Sequence, residues 1–331
     1  MPKEITHIIL AEQMREKLPR DVGELLHSHA QEYFFGSTAP DLFYYDVPTP
    51  FDASPSSEII SETLHGRMGN KNNEHIFWML DRMKKLDQQD RYFAFIAGYL
   101  SHIAADTIFH PMVYSRTGNY FDLDPAERKR SRARHRVLET SLDLYLLSES
   151  GRTLRGLGLL RLLRVPEDFS RSLMNFFSLS LSEIYHPDLA VSRGALRSVL
   201  KSRLIIAMTL SPIAYKFFSW INRILSRKHN DLINLFYPPK PAAIDFETSA
   251  QIPHPITGNP YPSRIEELRS MATSRGIAYI AAASAYWKGT ISDTELRAAI
   301  PPLSLNSGMQ CTTVESMIHY EILPGIEQFD D

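Results

Sequence analysis

Gly98-Tyr99-Leu100-Ser101-His102-Ile103-Ala104-Ala105-Asp106-Thr107-Ile108-Phe109-His110-Pro111 is the stretch on which the reading of this chain turns. Four residues rotate a helix about 40° past a full turn and advance it about 6 Å, so His102 and Asp106 share one face, with His110 at its C-terminal end. Phe93, Ile96, Ala97 and Leu100 occupy the opposite side, where they can pack while the polar face looks inward onto a site. A helix is expected over residues 91–109, ending before Pro111, because the residue before a proline is pushed out of the helical region.

A second helix repeats the device. Asp124-Pro125-Ala126-Glu127 reads as an N-cap, a proline at the first helical position and a capping-box glutamate, opening a helix that should run to about Leu147. His135, Glu139 and Asp143 then fall four residues apart on one face. With 12 His and 38 acids in the chain, a His followed by an acid at the fourth position should arise by chance roughly once, so that pair alone says nothing. The full His-x3-Asp-x3-His run should arise in roughly one such sequence in twenty, which makes it a moderately specific signal.

Helical periodicity dominates the rest, and alternating strand patterns are absent, so an all-α fold is expected. Helices are expected near 7–18, 22–35, 58–68 and 74–86, with a Pro-, Asp- and Ser-rich loop at 36–55 that exposes Asp41 and Asp46. From 166 to 236 the pattern is helical with basic residues spaced along it, and the next stretch, 238–262, contains seven prolines. That stretch is the expected boundary: 1–237 as a helical metal-binding catalytic domain, 238–262 as a linker, 263–331 as a helical extension. In the extension, Ser263 to Glu266 reads as a capping box opening a helix to Trp287, and Ser292 to Glu295 opens a shorter one. There is no internal repeat and no nucleotide-binding glycine loop.

Composition narrows the chemistry. The 331 residues, 44% hydrophobic, supply ample core. Lys+Arg 36 against Asp+Glu 38 leaves a net charge of -2, so a nucleic acid or anionic membrane would have to be met by a local patch. The single cysteine, Cys311, excludes an internal disulfide and any Cys-based zinc ribbon, and leaves His and carboxylate as metal ligands. Glu4, His7 and Glu12 interrupt the apolar N-terminus, which lacks the continuous core of a secretory signal, so a cytoplasmic location is expected. The apolar run Leu204 to Trp220 is broken by Pro212 and Lys216 and falls short of the roughly 20 residues that span a bilayer. A buried core helix is its commoner meaning, an interfacial helix the alternative.

Most lone histidines are core or surface residues. His75, His186, His229, His254 and His319 are expected in the core, and His27 and His29 at the surface. Five other His, with two Asp and one Glu, resist that explanation, because a buried carboxylate needs a compensating charge and a metal supplies it.

The order His7, Asp41, His65, then His102, Asp106 and His110, then His135 and Glu139 resembles the ligand series of zinc-dependent phospholipase C, over roughly residues 1–150. The resemblance implies an all-α bundle of the phospholipase C/P1 nuclease type, with a helical C-terminal extension. One zinc would be held by Asp41, His65, His102 and Asp106, and a second by His110, His135 and Glu139. A third would use His7, Asp106 and the α-amino group of a processed chain. Two departures stand out. This chain has no evident leader, and the secreted phospholipases have two more residues before the second His of the central motif, so His110 would need a different helix end.

Two or three zinc ions suit phosphodiester cleavage, since metal activates water and holds phosphate oxygens, and no protein nucleophile is required. By the same resemblance Asp41 is both a ligand and a catalytic base. The basic run Arg128, Lys129, Arg130, Arg132, Arg134 and Arg136 would attract an anionic substrate or membrane, or is a solvated face paired with acids. Three functions remain open: a phosphodiesterase acting on phospholipid, with peripheral membrane contact; a nuclease or other phosphoesterase on the same fold; and a metal-stabilised interaction protein without catalysis.

Overall fold

A computed structural model describes residues 3–45, 58–185, 191–224, 233–239, 242, 244–246 and 249–329. Its helices run α1 Glu4–Lys17, α2 Arg20–Ser28, α3 Ala30–Gly36, then a 3-10 segment Ala39–Tyr45, then α4 Glu58–Leu64, α5 Glu74–Met83, α6 Gln89–Thr117 and α7 Pro125–Glu149. There follow α8 Leu154–Leu157, α9 Leu159–Leu162, α10 Glu167–Ile184, α11 Val191–Thr209, α12 Pro212–Ile224, a hairpin of β1 Gln251–Pro253 and β2 Pro260–Pro262, α13 Ile265–Trp287 and α14 Asp293–Ala299. Among the described residues the fold is all-α apart from that hairpin, whose register pairs Ile252 with Tyr261.

α6 is the axis of the fold. It is long and apolar enough to cross a bilayer, yet that apolar window is wholly buried, which marks a core helix. Contrary to the expectation from sequence, it does not end before Pro111 but continues to Thr117. An interior proline costs about 3 kcal/mol, whereas burying each of Met112, Val113 and Tyr114 returns about 1.5–3 kcal/mol, so packing wins. The Tyr261 hydroxyl also donates to the Ile108 carbonyl at 2.8 Å, beside the ladder that proline interrupts.

The elements around α6 set the site. α3 crosses α6 so closely that a Cβ on Gly98 would lie 1.9 Å from the Tyr33 carbonyl oxygen, and only glycine permits that approach. The N-cap and N1 proline of α7 form as expected, with the Asp124 carboxylate accepting from the Ala126 amide, but Glu127 does not close the expected capping box and pairs with Arg130 and Arg134 instead. The Ser292–Glu295 capping box is reciprocal. The box expected at Ser263 is not formed, and the Ser263 hydroxyl instead accepts from Arg116. The helix expected over 22–35 breaks at His29 into α2 and α3.

Two larger expectations meet a different arrangement. The proline-rich stretch does not separate two cores: Ile265, Leu268, Ala272 and Ile280 of α13 belong to the same hydrophobic cluster as Ile96, Leu100 and Ile103 of α6. Trp287 stacks on Phe93 with ring centroids 4.8 Å apart. The run Leu204 to Trp220 is not a buried core helix; it divides between α11 and α12, and Leu204, Ile213, Phe217 and Trp220 are all exposed.

Candidate metal centre

The ligand candidates come together from five segments. α1 carries His7, the 3-10 segment carries Asp41, His65 follows the last residue of α4, α6 carries His102, Asp106 and His110, and α7 carries His135 and Glu139. All eight are buried, Asp41 among them, which the sequence reading exposes in a loop and the structure instead packs inward on the 3-10 segment Ala39–Tyr45. They form two adjoining groups, Asp41 with His65, His102 and Asp106, and His110 with His135 and Glu139; in each, one donor atom per residue lies within 4.8 Å of the others.

Within the first group the distances are informative. His65 Nε2 lies 3.2 Å from Asp41 Oδ1 and 3.4 Å from Asp106 Oδ2, and His102 Nε2 lies 3.6 Å and 2.9 Å from the same two oxygens. Four donors about 2.0–2.1 Å from one tetrahedral zinc are separated by about 3.3 Å, so these spacings are those of a zinc-sized cage. His65 Nε2, His102 Nε2, Asp41 Oδ1 and both Asp106 oxygens are buried without a hydrogen-bond partner. Leaving such atoms unpaired costs several kcal/mol, which a cation at their centre would offset.

Backbone carbonyls hold the rings in the required tautomer. Nδ1–H of His65 donates to the Ser61 carbonyl at 2.6 Å, that of His102 to the Ser37 carbonyl at 2.9 Å and that of His110 to the Leu305 carbonyl at 2.6 Å. A carbonyl only accepts, so Nδ1 keeps the proton and the Nε2 lone pair of the neutral ring is free to ligate. His135 has its Nε2 3.0 Å from Glu139 Oε1 within the second group.

The carboxylate of Asp106 is divided between neighbours. Oδ1 faces His7 Nε2 at 3.3 Å, while Oδ2 faces His65 and His102. His7 stacks on His102, centroids 4.0 Å apart, and belongs to neither group. Asp143, expected to share the ligand face of α7, serves another purpose: it accepts from the Ile5 and Thr6 amides and the Thr6 and Tyr237 hydroxyls, capping the start of α1 and so placing His7.

Electrostatics follow the same division. Burial pushes the Asp106 carboxyl up, but His102, His110 and His7 around it outweigh that and hold it well below the usual range. Asp41 is likewise pushed up by burial and brought below the ordinary value by His102 and His65. Burial disfavours a charged His65, yet Asp106 and Asp41 against its Nε2 raise it to about 9. Burial alone depresses His75 to about 3, and it dominates for His110, also at about 3.

A family model described as zinc dependent phospholipase C matches residues 6–185, a span that contains all eight candidates. The chain belongs to the zinc-dependent phospholipase C family. No curated protein and no solved structure matches it significantly. In this member of the family the C-terminal loop at 303–309, outside the matched span, reaches into the site. The Leu305 amide donates to the His65 carbonyl at 2.9 Å, Asn306 Nδ2 donates to the same carbonyl, and the Tyr114 hydroxyl donates to Asn306 Oδ1. Gly308, at φ 68°, sits so near α6 that a Cβ would lie 2.3 Å from the Thr107 carbonyl oxygen. Sequence reasoning missed this loop, because backbone donors and acceptors have no residue signature.

The remaining expectations resolve individually. His75 is buried and paired with the Tyr185 hydroxyl; His254 is buried and donates to the Ser307 carbonyl; His27 is exposed; His29 and His319 are half-buried rather than surface and core. Asp46, His186 and His229 lie outside the described residues. The basic run is largely engaged within the chain: Arg130 and Arg134 pair with Glu127, Arg128 donates to the Asp122 carbonyl, and Arg132 lies over the Tyr120 ring.

Proposed function

We propose that this protein hydrolyses the phosphodiester of a phospholipid, with one zinc held by Asp41, His65, His102 and Asp106 and a second by His110, His135 and Glu139. The observation that supports this most is the zinc-sized spacing of the first group, with its histidine tautomers set by carbonyl acceptors. Zinc in such a site supplies Lewis acidity, lowering the pKa of water and taking up charge on phosphate oxygens. Asp106, with one oxygen toward each neighbour set, is placed to link His7 to the first group. Asp41 is the least buried of the first group, its side chain 11% exposed against 0–1% for the others, so it is the carboxylate that incoming water can reach. We assign it the role of base, taking a proton from the water that adds to phosphorus and returning it to the diacylglycerol oxygen as that P–O bond breaks.

A nuclease is the second reading, and the aromatic rim favours it: Tyr44 lies 5.4 Å from His65 and Tyr120 4.9 Å from His135, centroid to centroid, and Arg132 covers Tyr120. Such rings also stack bases. The test is a panel of phosphatidylcholine, phosphatidylinositol, single-stranded nucleic acid and a chromogenic phosphodiester, offered to zinc-loaded protein and to Asp41→Asn. Lipid-selective turnover lost in the variant supports the first reading, and nucleic-acid turnover the second. No turnover with zinc verified in place would make the protein a metal-stabilised interaction partner.

A further inference from the structure

α12 wears its apolar face outward. Ile213, Phe217, Trp220 and Ile224 are spaced four, three and four residues apart, the spacing of one helical face, and they are 81%, 54%, 60% and 61% exposed. On α11, Leu200 and Leu204 are four apart and each 62% exposed. The two helices meet at 82° across a short break at Leu210 and Ser211. An ordinary surface helix buries this stripe; here Asn222 is the residue of α12 that is buried. Both helices lie beyond the span matched by the family.

Charge on the same segment is one-sided. Residues 191–224 contain Arg193, Arg197, Lys201, Arg203, Lys216 and Arg223 and no acid, in a chain whose net charge is -2. Lys216 and Arg223 are exposed beside the apolar face. A second copy of the chain docking here about a twofold axis would bring two such basic sets together. An anionic lipid surface would complement Lys216 and Arg223, and tryptophan with basic residues around an apolar face is the pattern of a helix lying at a membrane interface.

α11 also adjoins the candidate metal centre. α11 packs on the 3-10 segment that carries Asp41, and its Ser202, Arg203 and Ile206 line the same small cavity as Asp41 and Glu4. We infer that α11 and α12 dock this protein onto an anionic phospholipid surface, with α12 lying in the plane of the interface and the Asp41 side of the molecule held against the headgroups. The inference deepens the phospholipid reading and rests on it for the choice of surface.

Its test is cosedimentation of the full chain, carrying Asp41→Asn so that lipid is not consumed, with vesicles of phosphatidylcholine alone or mixed with phosphatidylserine. The protein should sediment with the mixed vesicles, and the pair Phe217→Ser with Trp220→Ser should lower partitioning at least ~10-fold. Lys216→Glu with Arg223→Glu should erase the preference for phosphatidylserine, as should high salt. Helical circular dichroism and, in the Asp41 background, turnover of a monomeric chromogenic phosphodiester should be unchanged in both pairs. Equal partitioning of the Asp41→Asn chain with and without the apolar pair, or that chain left in the supernatant without the pair, would overturn the docking surface. A concentration-dependent dimer lost in the apolar pair, without vesicle binding, would overturn it in favour of a second copy. Because the vesicle assay requires no turnover, failure of the hydrolase reading would leave partitioning intact, and failure of docking would leave soluble turnover intact.

Discussion

Nδ1 of His110 donates to the carbonyl of Leu305 at 2.6 Å, across 195 positions of sequence. The same residue's amide donates to the carbonyl of His65, so one loop orients a histidine of each candidate metal group. Zinc affinity should therefore depend on a segment far from every ligand in sequence. Asn306→Ala removes the donor to His65 and the acceptor of Tyr114, and it should weaken zinc binding by about 10–100-fold while helical content persists. Competition against a chromogenic chelator measures this. An unchanged affinity would make the loop a spectator.

Asp106 is the carboxylate nearest to the most ligand candidates. Asp106→Ala should lower zinc affinity at least ~100-fold, more than any other single substitution in the two groups. His75→Ala, which removes a buried histidine hydrogen-bonded to Tyr185 and packed edge-on against Tyr99, should cost stability and leave zinc stoichiometry alone. Elemental analysis of both variants checks the pair, and equal zinc in the two would remove the core of the metal assignment.

Zinc binding should release protons at neutral pH, and mainly from the first group. Without metal, His65 has its pKa raised from 6.5 to about 9 by Asp106 and Asp41. The stabilisation that this proton brings to the metal-free protein is complete below about 6.5 and is lost as pH rises through about 9, so metal competes better as pH rises across that window. His110, held down at about 3, has no proton to give. Calorimetry in buffers of different ionisation enthalpy counts the protons, and release at pH 7.5 that stays the same in His65→Ala would contradict the assignment.

Asp143→Ala should destabilise the fold by about 2–4 kcal/mol, since it strands two amides and the Thr6 hydroxyl at the buried start of α1 and leaves the Tyr237 hydroxyl to its longer bond with Glu4. Thermal unfolding of metal-free protein should show the full loss, because the carboxylate acts on the helix and not on the ion. A loss seen only with zinc bound would instead make Asp143 part of the metal site.

Much of the site was legible in the sequence, since a helix repeats its face every three to four residues. His102, Asp106 and His110, like His135 and Glu139, needed only that periodicity to be placed together. Asp143 continues the same spacing, yet it faces the start of α1, and only the packing of α1 against α7 could show that. Helix ends were legible where local chemistry controls them, as at Asp124 and Ser292, and failed at Pro111, where burial of the three residues that follow outweighs proline's penalty.

What the sequence by itself determined is the helical class and the candidate ligands that recur on one helix face, His102, Asp106 and His110 on α6 and His135 and Glu139 on α7, because both follow from side-chain identity at short spacing. Tertiary structure alone decided which carbonyls orient the histidines, that the loop at 303–309 bonds to His65 and His110, that α13 joins the core of α6, and that the stripe of α12 faces outward. Backbone carbonyls are alike at every residue, and an apolar stripe reads the same whether it is covered or bare. Only the arrangement of distant segments distinguishes them.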